Sequence, residues 1–286
     1  MKPWPEFVPR LVATDIDGTI LPHGGTVSPR TRDALQQYVE RGVDVVLVTG
    51  RPPRWLPPVV EATGLSGAVI AANGAMVVDA LSLDHIEISA ISPDHTAEAV
   101  GRFTAALPDA VFAVETPWDI RVGPGFTEAR TRGRREGLTP AGPPVTDVSS
   151  MDELVETGDV IKILVRSPAS HPDEMLEAGR AEAGHVVNVT RSGVAQPLLE
   201  LGPLGVTKAS TLAAFARARG IDQSDVVAFG DMPNDVEMLR WVGHGFAMHG
   251  GHAEALAAAP HVAPPVEEDG VAQVLETFLA PRTTLT

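Results

Sequence analysis

"LVATDIDGTIL", residues 11–21, sets two aspartates one residue apart at the end of a short apolar run. The run reads as a buried strand that stops at turn-forming residues, and Gly18 lets the chain reverse after the second acid. Asp15 and Asp17 are like charges held close together, and fold stability gains nothing obvious from that. If the strand belongs to a doubly wound sheet, its carboxyl end is where a ligand binds. The acid pair then becomes a candidate site, and the rest of the chain must supply the sheet.

Working outward, "SPRTRDALQQYVERG" (28–42) carries a complete helix grammar, with Ser28 as N-cap, Pro29 at the first helical position and Gly42 just past the end. "VDVVLVTG" (43–50) predicts a second β-branched strand that stops at a threonine and glycine. Pro57 and Pro58 cannot lie inside one continuous helix, so a turn at Pro52 and a helix beginning near Pro57 are expected. "GAVIAANGAMVV" (67–78) predicts a third strand meeting an Asn-Gly turn in a hairpin.

The middle of the chain changes character. "AISPDHTAEAVGRFTAAL" and "HPDEMLEAGRAEAG" predict helices, while "AVFAVET", "VIKILVR" and "HVVNVT" predict strands. The Gly-, Pro- and Arg-rich stretch 122–147 reads as irregular. After about residue 196 the earlier style returns, with "LLELG", helix "KASTLAAFARARG", strand "DVVAFGD", helix "NDVEMLRWVG", short strand "GFAM" and helix "GVAQVLETFLA". Strands alternating with helices imply a parallel sheet covered on both faces. The expected architecture is one α/β domain made of residues 1–85 and 193–286, with an α+β insert at 86–192.

Two domains suit a chain of 286 residues, and 44% apolar with 21% charged residues describes an ordered globular protein. A net charge of −15 argues against nucleic acid and acidic membrane surfaces as partners. The opening "MKPWPEFVPR" lacks an apolar leader core, and no stretch approaches the ~18 apolar residues of a membrane span; the expected location is cytoplasmic. With no cysteine, disulfides, thiolate nucleophiles and Cys-ligated metals are excluded.

What stands just after each apolar run is chemically coherent. The first contributes Asp15 and Asp17, the second Thr49, Gly50 and Arg51, and a later one Asp231, Asn234 and Asp235; Lys208 opens the helix after "GPLGVT". Repulsion among the acids calls for a cation between them, and an all-oxygen set suits Mg²⁺.

"DIDGT", "VTGR", "GVTK" and "GDMPND", in that order, resemble the four motifs of haloacid dehalogenase-like (HAD) phosphohydrolases. Asn73-Gly74, the insert that follows it and "EDGVAQVLE" (268–276) resemble the Cof-like branch. The resemblance covers nearly the whole chain, most weakly residues 108–158. It implies a Rossmann-like HAD core with an inserted α/β cap, and Mg²⁺-dependent hydrolysis of a small phosphorylated metabolite. Sugar phosphates or phosphorylated cofactors such as pyridoxal phosphate are the implied substrates. By the same resemblance Asp15 is the nucleophile that becomes an aspartyl-phosphate, and Asp17 carries the proton to the leaving group. Asp15, Asp231 and the carbonyl of Asp17 hold the metal, and Asp235 either joins them through water or orients Lys208. Thr49, Lys208 and the N–H groups of Ile16 and Gly50 cradle the phosphate, and Asn234 touches the phosphate or Lys208.

Arg51 either meets substrate or neutralises the acidic crevice. Arg130, Arg132, Arg134 and Arg135 read as a solvated loop, and His244, His249 and His252 as loop or surface residues. "AMHGGHAEA" (247–255) stands where the Cof-like pattern has Ala-Met-Gly-Asn-Ala, a departure that bears on substrate fit. A phosphomutase or phosphotransferase on the same scaffold, and a non-catalytic metabolite-binding protein, are the alternative functions. Oligomeric state is left open.

Overall fold

In the computed structural model, which describes residues 8–132, 145–193 and 196–279, both ends of the chain share one sheet. Its strands are β1 (Leu11–Thr14), β2 (Asp44–Val48), β3 (Ala68–Ala71), β4 (Met76–Asp79) and β5 (His85–Ile88), joined later by three more. The insert supplies β6 (Val111–Glu115), β7 (Ile120–Val122), β8 (Val145–Asp147), β9 (Lys162–Arg166), β10 (Val187–Thr190) and β11 (Leu198–Pro203). The chain then returns with β12 (Val226–Gly230), β13 (His244–Met248) and β14 (His261–Ala263). Among the described residues the first sheet has the order β14-β13-β12-β1-β2-β3-β4-β5 and the second β10-β11-β9-β6-β7-β8.

Alternation along the strands builds a core on each face of the first sheet. Val12, Leu47, Val69, Val227 and Phe229 point to one side, and Leu11, Ala13, Val46, Val48, Ile70, Val226 and Ala228 to the other. The first side is covered by α1 (Pro29–Glu40), α2 (Pro57–Thr63) and, at the chain's end, α10 (Gly270–Leu279). The second side takes α7 (Lys208–Ala218) and α8 (Val236–Trp241); α9 (Ala253–Ala258) packs beside α8. The remaining helices belong to the insert: α3 (Pro93–Ala106), α4 (Phe126–Arg132), α5 (Met151–Val155) and α6 (Pro172–Ala183). Ser28 caps α1 by accepting from Thr31 N at 3.0 Å, and Pro29 is its first residue. Gly42, at φ 75°, follows the end. The hairpin at Asn73 forms as expected, with Ala71 opposite Met76.

In the second sheet Val114, Ile163, Leu199 and Leu201 pack with Phe103 of α3 and Leu176 of α6. The opposite face therefore presents Glu115, Lys162 and Glu200. It faces the ends of the first sheet's strands.

Three expectations need correction. The stretch 122–147 contains α4 and β8, so it is not irregular throughout; Arg134 and Arg135 lie outside the described residues. "LLELG" pairs with β9 and β10 in the second sheet rather than returning to the first. His85 begins β5 of the first sheet. By strand pairing the first sheet thus runs past residue 85 to Ile88, and the insert past residue 193 to Pro203.

Candidate active site

Parallel pairing of β12, β1 and β2 brings three strand ends side by side. Thr14 is in register with Phe229 on one flank and Leu47 on the other. The next residue out, Asp15, is held by its N–H donating to Phe229 O at 3.0 Å. Asp231 follows β12 and Thr49 follows β2, so all three project from one edge.

Carboxylate oxygens of Asp15, Asp231 and Asp235 lie within 4.8 Å of one another, and all three residues are buried. Lys208 is fully buried at the first turn of α7 and donates to Asp15 Oδ1 and to Asp235 Oδ1, at 2.6 Å each. Asp235 Oδ2 accepts from the backbone N–H groups of Asp231 and Met232, both at 3.0 Å. Both oxygens of Asp235 thus accept hydrogen bonds, one of them from Lys208.

The electrostatics of the cluster are one-sided. Burial pushes the Asp15 carboxyl up to about 7, Lys208 opposes the rise, and Asp235 adds to it. Asp231 is raised well above the ordinary carboxylate range by burial and by the charge of Asp15. Burial works against the Lys208 charge, yet Asp15 and Asp235 hold its pKa above the ordinary lysine value. Three buried carboxylates thus face one ammonium. The oxygen-only donor set and this excess of negative charge fit a hard divalent cation.

Gly18 shows how tightly the turn encloses that set. Its φ is +80°, and a Cβ there would stand 2.3 Å from Asp231 Oδ2. Thr19 closes the same corner by donating to Asp231 Oδ1 at 3.2 Å.

Asp17, expected to offer a metal its backbone carbonyl, turns its side chain away from the three acids. The turn at Gly18 leaves its side chain 44% exposed, and both oxygens are engaged by Arg51, through Nε at 2.7 Å and Nη2 at 2.6 Å. The carboxylate lies outside the three-acid cluster; only the Asp17 backbone is left as a source of a metal ligand. Arg51 thus pairs with an acid of the crevice.

Thr49 is buried, and its hydroxyl oxygen accepts from Arg51 N at 3.1 Å, leaving the O–H proton free to donate. Among the described residues, the N–H groups of Ile16 and Gly50 donate to no backbone carbonyl. Asn234 donates from Nδ2 to Asn73 Oδ1 at 3.0 Å. His252 caps α9 and meets Asp173 Oδ1 at 3.1 Å, His249 is exposed, and His244 lies in β13 rather than in a loop.

The sequence reading missed the residues that the second sheet adds. Glu200 accepts from Asn73 Nδ2 at 2.7 Å, and from Ser192 Oγ. Lys162 reaches Gly50 O at 2.6 Å, Glu200 at 3.0 Å and Glu115 at 3.2 Å, and Arg54 donates to Glu115 at 2.5 Å. The available signal was a single charge inside each of three apolar strand runs. Beside the site lies a cavity of about 880 Å³, bordered by Lys208, Asn73 and Asn234 on one wall and Asn188 and Thr190 of β10 on the other.

A family model described as haloacid dehalogenase-like hydrolase matches residues 12–275. The 5-amino-6-(5-phospho-D-ribitylamino)uracil phosphatase YcsE of Bacillus subtilis (strain 168) is 26% identical over 273 residues, covering 94% of this chain and 96% of its own. The HMP-PP phosphatase of Serratia proteamaculans (strain 568) is 28% identical over 274 residues, covering 94% and 95%. The solved structure of a haloacid dehalogenase-like hydrolase from B. subtilis superposes with a TM-score of 0.77 at 25% identity, covering 93% of this chain and 99% of that one.

Proposed function

The chain belongs to the haloacid dehalogenase-like hydrolase family, and on that premise we propose that it is a Mg²⁺-dependent phosphomonoesterase of small phosphorylated metabolites. The observation that carries the reading is the buried Lys208, donating to Asp15 and Asp235 at 2.6 Å each, in a cluster that includes Asp231. Phosphoryl transfer is chiefly a matter of position and charge neutralisation, and this cluster supplies both.

In this mechanism an Asp15 oxygen attacks phosphorus in line, and a new O–P bond forms as the bond to the leaving oxygen breaks. Asp17 gives that oxygen a proton. It then takes a proton from the water that attacks the aspartyl-phosphate, releasing orthophosphate and restoring Asp15. Because Arg51 grips both Asp17 oxygens, that pair parts when substrate arrives. The Thr49 hydroxyl and the N–H groups of Ile16 and Gly50 donate to phosphoryl oxygens, and Lys208 adds its charge there. Asp15, Asp231 and the Asp17 carbonyl would hold the divalent ion, which when bound supplies Lewis-acid charge neutralisation.

Substrate class rests on the relatives. One relative's name specifies a phosphorylated ribitylamino-uracil and another's HMP-PP, which supports sugar phosphates or phosphorylated cofactors. The second sheet and its helices serve as the cap that excludes water and meets the organic part of the substrate.

Phosphate release from a panel of phosphorylated metabolites, with Mg²⁺ and with chelator, tests the reading. Asp15→Asn is expected to lose activity by on the order of 10⁴-fold while melting cooperatively. Equal turnover by the variant and the native protein refutes the nucleophile.

A further inference from the structure

Lys162 lies in β9 of the second sheet, 3% exposed, yet its ammonium hydrogen-bonds a backbone oxygen of the first domain's phosphate loop, Gly50 O, at 2.6 Å. Two more charge-assisted contacts cross the same seam. Arg54 donates to Glu115 at 2.5 Å, and Asn73 donates to Glu200 at 2.7 Å. Glu115 and Glu200 flank Lys162 at 3.2 and 3.0 Å. Burial works against the lysine's charge, and the two glutamates hold its pKa above the ordinary value. The ammonium is therefore kept charged where it meets Gly50.

What that contact controls follows from the covalent geometry of the loop. The Gly50 carbonyl and the Arg51 N–H belong to one planar peptide. That N–H donates to Thr49 Oγ1 at 3.1 Å, which occupies one of the hydroxyl's two lone pairs and leaves its proton to be offered. Gly50 also has no room to drift toward the seam. A Cβ on it would stand 3.0 Å from Asn73 Oδ1 and 3.4 Å from Glu200 Oε2.

We propose that Lys162 is a positioning residue: seated on the Gly50 carbonyl, it sets the Gly50–Arg51 peptide and, through it, the Thr49 hydroxyl. The phosphate loop is then fully ordered only when the second layer is closed over it. The inference rests on the phosphatase reading for the task given to Thr49.

The test pairs Lys162→Met with the charge-balanced Lys162→Met/Glu200→Gln, which leaves Glu115 with Arg54 and guards against a variant that fails to fold. Because the chain has no cysteine, spin labels can be attached at Gln37→Cys on α1 and Ala97→Cys on α3, both exposed. Electron–electron resonance then reads the distance between the layers. The native protein is expected to give one narrow distance and both variants an added longer population. Kinetics with para-nitrophenyl phosphate and with ribose 5-phosphate should show kcat falling about tenfold to a hundredfold for both, with KM within about threefold. A loss confined to KM, or differing in kind between the two esters, would mean that Lys162 meets the leaving group and overturns the proposal. So would an unchanged distance distribution. If the native protein releases phosphate from neither ester, the functional reading has failed, and the label distances alone still decide whether Lys162 seats the second layer.

Discussion

Lys208 stands between two carboxylates that burial has stripped of water, and its loss should be felt in the fold before it is felt in catalysis. Lys208→Met leaves Asp15 and Asp235 without their shared donor. Removing one partner from a buried ion set typically costs about 3–5 kcal/mol, so urea unfolding of the metal-free variant is expected to shift by that amount. A shift below about 1 kcal/mol would mean that the cluster is far better hydrated than its burial implies. At this scale the site was largely legible in the sequence. Asp15, Thr49, Lys208 and Asp231 each follow an apolar run or open a helix, and strand ends are where an α/β sheet gathers its ligands. Asp17 was less legible, because its direction depends on how the turn at Gly18 rotates the preceding side chain toward Arg51, and spacing carries no record of that rotation.

Strands and helices were legible where their ends carry their own chemistry. Ser28-Pro29 starts α1 as expected and Ser92-Pro93 starts α3 in the same way, because an N-cap hydroxyl and a proline at N1 act locally. β11 was misassigned because "LLELG" alternates the same way whichever sheet receives it; only the partners β9 and β10 decide. Pairing across that sheet yields a pH prediction. Burial works to raise the Glu200 carboxyl, but Lys162 and its hydrogen bonds hold it below its ordinary 4.5. Lys162 is held above its ordinary 10.5 by Glu115 and Glu200. A lowered acid contributes stability above its unfolded value and loses it as pH falls through the folded one. A raised lysine contributes below 10.5 and loses it as pH rises. The stability difference between the native chain and Glu200→Gln should therefore be flat from about pH 5 to 10 and shrink on either side. Melting temperatures across pH check this, and a difference that grows on acidification would contradict it.

Across the whole molecule, a cation held by the acid cluster would add to stability. Saturating Mg²⁺ at a hundred times its dissociation constant should add about 2.7 kcal/mol, read as a rise in melting temperature that chelator reverses. Asp231→Asn should largely abolish the increment while leaving the metal-free protein no less stable, since a buried like charge has been removed. An equal increment in the variant would place the ion elsewhere. Contacts between the layers were the least legible feature of all. Lys162 meets Gly50 across 112 positions and Asn73 meets Glu200 across 127, and a lone charge in an apolar strand names no partner at such range.

The path from β11 into α7 is short: Pro203 closes the strand and Lys208 opens the helix, with Gly205 at φ 76° between them. Thr207 is clamped at the far end, its carbonyl so near Gly74 that a Cβ there would lie 2.3 Å away. Four intervening residues can extend only about 13–14 Å, so this link is a tether fixed on its catalytic side. If the layers part as proposed, the one that carries Glu200 would move on this short leash, its fixed end one residue from the lysine.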